Sequence, residues 1–169
     1  DGLMLERIWS GWRAAYVGAD RLASESTATS PFTQILESGE SDDEAFIVHR
    51  GERVFGILNI YPYTAGHLLV LPYREVPDLA DLTAAETGEL WSTVTDAVVA
   101  VRVAYAPDGL NVGLNLGRPA GGSVPSHLHV HVVPRWTGDS NFMSSIANTQ
   151  TLPESLTASA DRLRAAWPA

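Results

Sequence analysis

The chain has 169 residues, 45% hydrophobic and 18% charged, with a formal net charge of −9. Length and balance fit one globular domain with a real core, and no apolar run approaches the length of a membrane span. The acidic surplus argues against a nucleic-acid face, and the absence of cysteine removes disulfides, thiolate catalysis and cysteine-based zinc sites.

In chain order, "GLMLERIWSGWRAAYV" spaces Leu5, Ile8, Trp9, Trp12 and Tyr16 as one face of an amphipathic helix. The small, polar "GADRLASESTATSP" reads as a loop, and the acid-rich "ESGESDDE" as a second, solvated one. "AFIVHR" and "RVFGILNI" are strand-like, and the "GER" between them predicts a hairpin. "YPYTAG" turns the chain into a third strand, "HLLVLPYR". The longest helical pattern runs from "DLADL" to "VRVAY", with Thr83 and Glu86 spaced as a capping box, and "PDG" ends it. "LNVGLNLG" and "HLHVHVVPR" are two further strands joined by "RPAGGSVPS". "PESLTASADRLRAAW" closes the chain as a helix with proline in its first turn. The expected class is α+β: a meander of about five strands with one long helix and terminal helices, forming one domain over 1–169.

The chemistry concentrates in "SHLHVHVVPRW", which holds three of the five histidines at alternate positions. On a strand His127, His129 and His131 share a face, while Leu128, Val130 and Val132 point into apolar packing. A shared zinc ion fits this spacing poorly. The outer two positions lie about 13 Å apart along a strand, whereas zinc needs each nitrogen at about 2 Å. A strand that merely happens to carry histidines is also a poor fit, because each buried imidazole needs partners for both nitrogens. A catalytic row remains: a central nucleophile, with neighbours that fix its tautomer and relay protons. The preceding "GRPAGGS" supplies glycines whose backbone N–H groups can closely approach an oxyanion or phosphate.

"HLHVHVV" matches the pattern His-φ-His-φ-His-φ-φ and resembles the histidine triad (HIT) superfamily of nucleotidyl hydrolases and transferases. "FGILNIYPYTAGHLLVLPYREV" is similar to the upstream strand pair of that superfamily. "LNVGLNLGRPAGGSVPSHLHVHVVPRWTGDSNFM" resembles its bacterial diadenosine tetraphosphate phosphorylase (ATP adenylyltransferase) branch. The resemblance covers roughly residues 46 to 143, and the helices before and after extend that core.

The resemblance implies a role for each matched position. His129 is the nucleophile on the α-phosphorus, His131 hydrogen-bonds to it and fixes its tautomer, and His127 completes the row near the phosphate. His67 supports the triad from a neighbouring strand; a structural histidine reads nearly as well there. Asn115, Gly122 and Ser123 contact phosphate. Asn59 stands where many members place an aspartate on the ribose, so it keeps an acceptor and loses a charge. Ile60 packs on the nucleoside. Trp136 either shapes the substrate site or packs in the core. Arg118 and Arg135 suit phosphate by chemistry, although a solvated charge explains each as well. His49 matches nothing and is expected on the surface.

The activity so implied is phosphorolysis of diadenosine tetraphosphate to ATP and ADP through an adenylyl-histidine. The common hydrolase branches carry a glutamine four residues before the first triad histidine, and this chain has Ser123 there. The rivals are a hydrolase of dinucleoside polyphosphates or nucleoside phosphoramidates, a non-catalytic nucleotide-binding protein, and an aprataxin-type enzyme acting on DNA ends. The expected partners are a purine nucleotide or dinucleoside polyphosphate, inorganic phosphate and a second copy of the chain, with no nucleic acid and no membrane. No cofactor or metal is expected on the protein, and magnesium is expected only as carried by the polyphosphate. The pairing of copies implied by the family uses the long helix and a strand; Leu90, Trp91, Val94, Val98, Val99 and Val101 make that helix apolar on more than one face. A cysteine-free chain fits a reducing interior, so a cytoplasmic location is expected. The chain opens on Asp1 rather than Met, compatible with a trimmed leader.

Overall fold

The structure is a computed structural model, and it describes residues 29–139 and 154–169. The helix expected over residues 2–17 lies outside the described residues. Five strands form one antiparallel sheet: β1 (Ile47–Arg50), β2 (Val54–Leu58), β3 (Leu68–Pro72), β4 (Gly109–Leu114) and β5 (Val130–Arg135). Their spatial order is β1-β2-β3-β5-β4. Three helices accompany them: α1 (Pro31–Glu37), α2 (Ala84–Tyr105) and α3 (Leu156–Ala166). Among the described residues no helix is long and apolar enough to cross a membrane.

β2 and β3 are buried along their whole length, which explains why their sequences read as unbroken apolar runs rather than alternating ones. Val54, Leu58, Leu68, Val70, Val130 and Val132 face one way, onto Leu90, Val94, Ala97 and Val101 of α2 and Leu163 of α3. Phe55, Ile57, Leu69 and Leu71 face the other way, where Phe32, Ile35 and Leu36 of α1 partly cover them. α1 had no counterpart among the elements read from the sequence. It starts because Ser30 caps it, accepting from the Thr33 N–H, and because Pro31 occupies a first-turn position where its missing N–H costs nothing. The Thr83–Glu86 capping box forms as expected, and α2 ends on a left-handed residue, Ala106. α3 is capped by Ser155 and begins at Leu156; Pro153, expected in its first turn, lies outside the described residues.

β5 is shorter than the strand read from "HLHVHVVPR". Its ladder with β3 pairs Leu68 with Val132, Leu69 with His131 and Val70 with Val130, and stops there. Past that point the Leu128 N–H turns to the Val76 carbonyl at 2.7 Å. Pro72, at the end of β3, has no N–H to offer, and its carbonyl accepts from a histidine ring instead. His127 and His129 therefore precede the regular strand. Their alternation with Leu128 nonetheless persists, with Leu128 in the α2-facing core.

Candidate active site

Four imidazoles meet on the sheet face opposite α2. His127 and His67 are completely buried, His129 is 6% exposed and His131 half-buried. Their tautomers follow from partners that can play only one role. His127 Nε2 lies 2.8 Å from the Pro72 carbonyl, which only accepts, so Nε2 carries the proton. Its Nδ1 then accepts from the Ser30 hydroxyl at 2.7 Å. His129 Nδ1 lies 2.7 Å from the His127 backbone carbonyl, so Nδ1 carries the proton and the lone pair is on Nε2. Burial lowers the basicity of His129, opposed by that same hydrogen bond. A neutral ring with an available Nε2 lone pair is the form a nucleophile requires.

A second relay serves His131. The Tyr63 N–H donates to His67 Nδ1 at 3.1 Å, so the His67 proton is on Nε2. That nitrogen donates to His131 Nδ1 at 2.9 Å, which leaves the His131 proton on Nε2. Burial, reinforced by the charge of the neighbouring imidazoles, pushes His67 down to about 3. Burial and His129 push His131 down to about 4. His131 Nε2 is the one buried side-chain polar atom with no hydrogen-bond partner among the described residues. A buried N–H left unpaired is costly, and this one is a donor in need of an acceptor beside the nucleophile, whose ring centroid is 4.9 Å away.

Two expected roles change on this geometry. The tautomer of His129 is fixed by the His127 carbonyl and not by His131, whose Nδ1 is taken by His67. His127 does not offer a ring nitrogen to a phosphate, because Ser30 and Pro72 occupy both. His67, the residue before β3, reaches the triad through its bond to His131. Gly66, just before it, has φ +75°, and a Cβ there would lie 2.5 Å from the Tyr105 ring.

The glycine loop packs tightly. Gly117 and Gly121 are in the left-handed region that favours glycine. A Cβ on buried Gly122 would sit 3.3 Å from the carbonyls of Asn115 and Gly117, so the loop folds back on the end of β4. Among the described residues neither the Gly122 nor the Ser123 N–H donates to a backbone carbonyl. Asn115 is half-buried and Ser123 exposed. Asn59 uses its carbonyl oxygen to accept from the Tyr61 N–H at 3.0 Å, so the acceptor expected on a ribose already closes a local turn. Ile60 beside it is 52% exposed, free to meet a ligand. Trp136 packs edge-on against Tyr105, with ring centroids 6.3 Å apart. Arg135 spends its fork on Asp139 at 2.6 and 2.7 Å and reaches Asn111 at 3.1 Å, which counts against phosphate binding. His49 is not a bare surface residue, since it stacks on Trp167 at 4.7 Å.

Sequence reasoning missed Ser30, Phe32, Tyr63 and Glu75. The Phe32 ring lies 5.5 Å from those of both His127 and His129, and Tyr63 lies nearly parallel to His131 at 6.1 Å. The available signal was Ser30-Pro31, a capped helix start in a stretch read as loop. Among the described residues no three His, Asp or Glu side chains are grouped to hold a metal ion.

A family model described as HIT domain matches residues 40–138. The chain belongs to the HIT domain family. An "AP-4-A phosphorylase" of Mycobacterium tuberculosis (strain ATCC 25618 / H37Rv) is 42% identical over 167 residues, covering 96% of this chain and 85% of that protein. A "Bis(5'-nucleosyl)-tetraphosphatase [asymmetrical]" of Schizosaccharomyces pombe is 34% identical over 55% of this chain and 50% of its own. Among solved structures, a zinc-bound histidine triad family protein from Mycobacterium smegmatis superposes with TM-score 0.66 at 29% identity, covering 82% of this chain and 92% of its own.

Proposed function

We propose that this HIT enzyme cleaves diadenosine tetraphosphate by phosphorolysis, giving ATP and ADP. The observation that carries the reading is the His129 imidazole, kept neutral by burial and fixed by the His127 carbonyl in the tautomer that leaves the Nε2 lone pair free. Nε2 attacks the α-phosphorus, a P–N bond forms, the P–O bond to the triphosphate breaks and ATP leaves, with AMP on the ring. An oxygen of inorganic phosphate then attacks the same phosphorus, the P–N bond breaks and ADP departs. His131 Nε2–H and the Gly122 and Ser123 N–H groups are donors for the oxygens on which charge builds. Support for phosphate as second acceptor comes from the 42% identity to a protein named AP-4-A phosphorylase and from Ser123 at the position where the hydrolase branches carry glutamine.

No cofactor belongs to this scheme beyond magnesium carried on the polyphosphate, and a cytoplasmic setting suits its substrates. The unit is a homodimer paired through the edge strand β4 and α2, whose Trp91, Val99, Val103 and Val112 are exposed apolar groups. The test is product analysis with diadenosine tetraphosphate, with and without phosphate. Phosphate-dependent ATP and ADP support phosphorolysis; AMP and ATP without phosphate overturn it in favour of hydrolysis, and no turnover leaves a binding protein.

A further inference from the structure

We infer that Ser30 is a positioning residue for the nucleophile, acting through His127 from the cap of α1. The inference rests on His129 as the nucleophile. The His127 carbonyl is the group that orients His129, yet His127 lies outside the β5 ladder. Its own N–H makes only a long bond of 3.4 Å to Val124, and the following N–H is tied to Val76 at 2.7 Å. The rest of its anchoring is through the ring. Pro72 holds Nε2, and Ser30 holds Nδ1 across 97 positions of sequence.

Ser30 is itself built in. It is 2% exposed, its hydroxyl accepts from the Thr33 N–H at 3.2 Å while donating to His127, and its own N–H donates to Glu75 at 2.9 Å. Thr33 Oγ1 donates to the same Glu75 oxygen at 3.1 Å. Those bonds, the Ser30 one foremost, hold the Glu75 carboxyl below the usual range. Glu75 thus stays charged and fixes the cap. The chain of bonds runs from Glu75 to the Ser30 backbone, from the Ser30 hydroxyl to the His127 ring, and from the His127 carbonyl to His129. The seven-residue helix packs Phe32, Ile35 and Leu36 on the second core cluster without burying any residue fully. Its cap also reaches His127, and Phe32 reaches both His127 and the nucleophile His129.

Removing the hydroxyl leaves His127 Nδ1 a buried acceptor without a partner, and the ring moves to relieve it. Glycine is the informative replacement, because it serves as an N-cap at a cost of only a few tenths of a kcal/mol relative to serine. The experiment uses the full chain as wild type, Ser30→Gly and Ser30→Thr, with steady-state kinetics on diadenosine tetraphosphate plus phosphate and ¹⁵N NMR of the imidazoles. In Ser30→Gly, kcat falls about 10-fold with KM within about 2-fold, short of the roughly 10²-fold that a 1 Å misplacement costs. The His129 ring nitrogens shift away from the pure Nδ1–H signature toward a two-tautomer average. Ser30→Thr, which keeps the hydroxyl and the cap, restores both readouts. An unchanged His129 signature in folded Ser30→Gly overturns the inference, as does unchanged kcat. If the wild type does not turn over the dinucleotide, the proposed function fails, and the NMR comparison still decides the role of Ser30.

Discussion

Replacing His67 by leucine tests the relay from Tyr63 to His131. The side chain is completely buried, so leucine, of similar volume, fills the space without making a large cavity. Two bonds disappear: the one from the Tyr63 N–H at 3.1 Å and the one to His131 Nδ1 at 2.9 Å. Each buried group left unpaired costs about 1–3 kcal/mol. Tyr63 lies in an exposed turn where water can replace the lost acceptor, whereas His131 Nδ1 faces the protein interior. The uncompensated loss is that of His131 Nδ1, about 1–3 kcal/mol, which for a domain of this size lowers the melting temperature by about 2–12 °C. Activity falls for a separate reason. Without the His67 donor the His131 proton distributes over both nitrogens, and the preorganised Nε2–H donor is lost. Loss of one such donor costs on the order of 10²-fold in kcat. Thermal melting and steady-state kinetics read the two effects. His67→Gln, which carries both an N–H donor and a carbonyl, recovers part of each. A folded His67→Leu with kcat within about 2-fold of wild type refutes the relay.

The folded-state values of His67 and His131, about 3 and about 4, lie below the ordinary 6.5. The unfolded chain therefore binds more protons in that window, and stability is complete above about pH 6.5 and is lost as pH falls. Chemical denaturation should show stability falling between pH 6.5 and 5 as the unfolded imidazoles gain protons that the buried ones do not, and a flat profile there contradicts the burial argument. Gly66→Ala meets both the left-handed φ and the Tyr105 ring, so it should destabilise by about 2–3 kcal/mol in a melting experiment. Gly88→Ala, on an open face of α2, should stabilise by about 1 kcal/mol. Trp91→Ala should weaken the dimer by about 2 kcal/mol or more, read as a concentration-dependent shift in sedimentation; a wild-type mass near 18.2 kDa at micromolar concentration contradicts the dimer.

How far the sequence could be read differs by residue. Strands β1 to β5 and the α2 cap were legible because each is written locally, in apolar runs, turn residues and the Thr83–Glu86 spacing. The triad was legible because alternation on one segment places its three rings on one face. The partners of those rings were not. Ser30 meets His127 across 97 positions, and His67 meets His131 across 64, and no local pattern encodes such pairs. The early end of the β5 ladder depends on Pro72 and Val76, on or just beyond another strand. The stacking of His49 on Trp167 joins β1 to the residue after α3, again a contact of distant segments. The tautomer of His129 turned on a backbone carbonyl two residues away, a short-range contact created by the chain leaving the ladder.

The most direct test is to trap the covalent intermediate. The enzyme is mixed with diadenosine tetraphosphate in phosphate-free buffer, quenched with denaturant at alkaline pH to preserve the P–N bond, digested and mapped by mass spectrometry. The account predicts one adenylyl group on His129, with ATP released in equal amount, and its discharge as ADP when phosphate is added before the quench. His129→Ala should carry no label. An adenylyl group on another residue, or full turnover by His129→Ala, contradicts it.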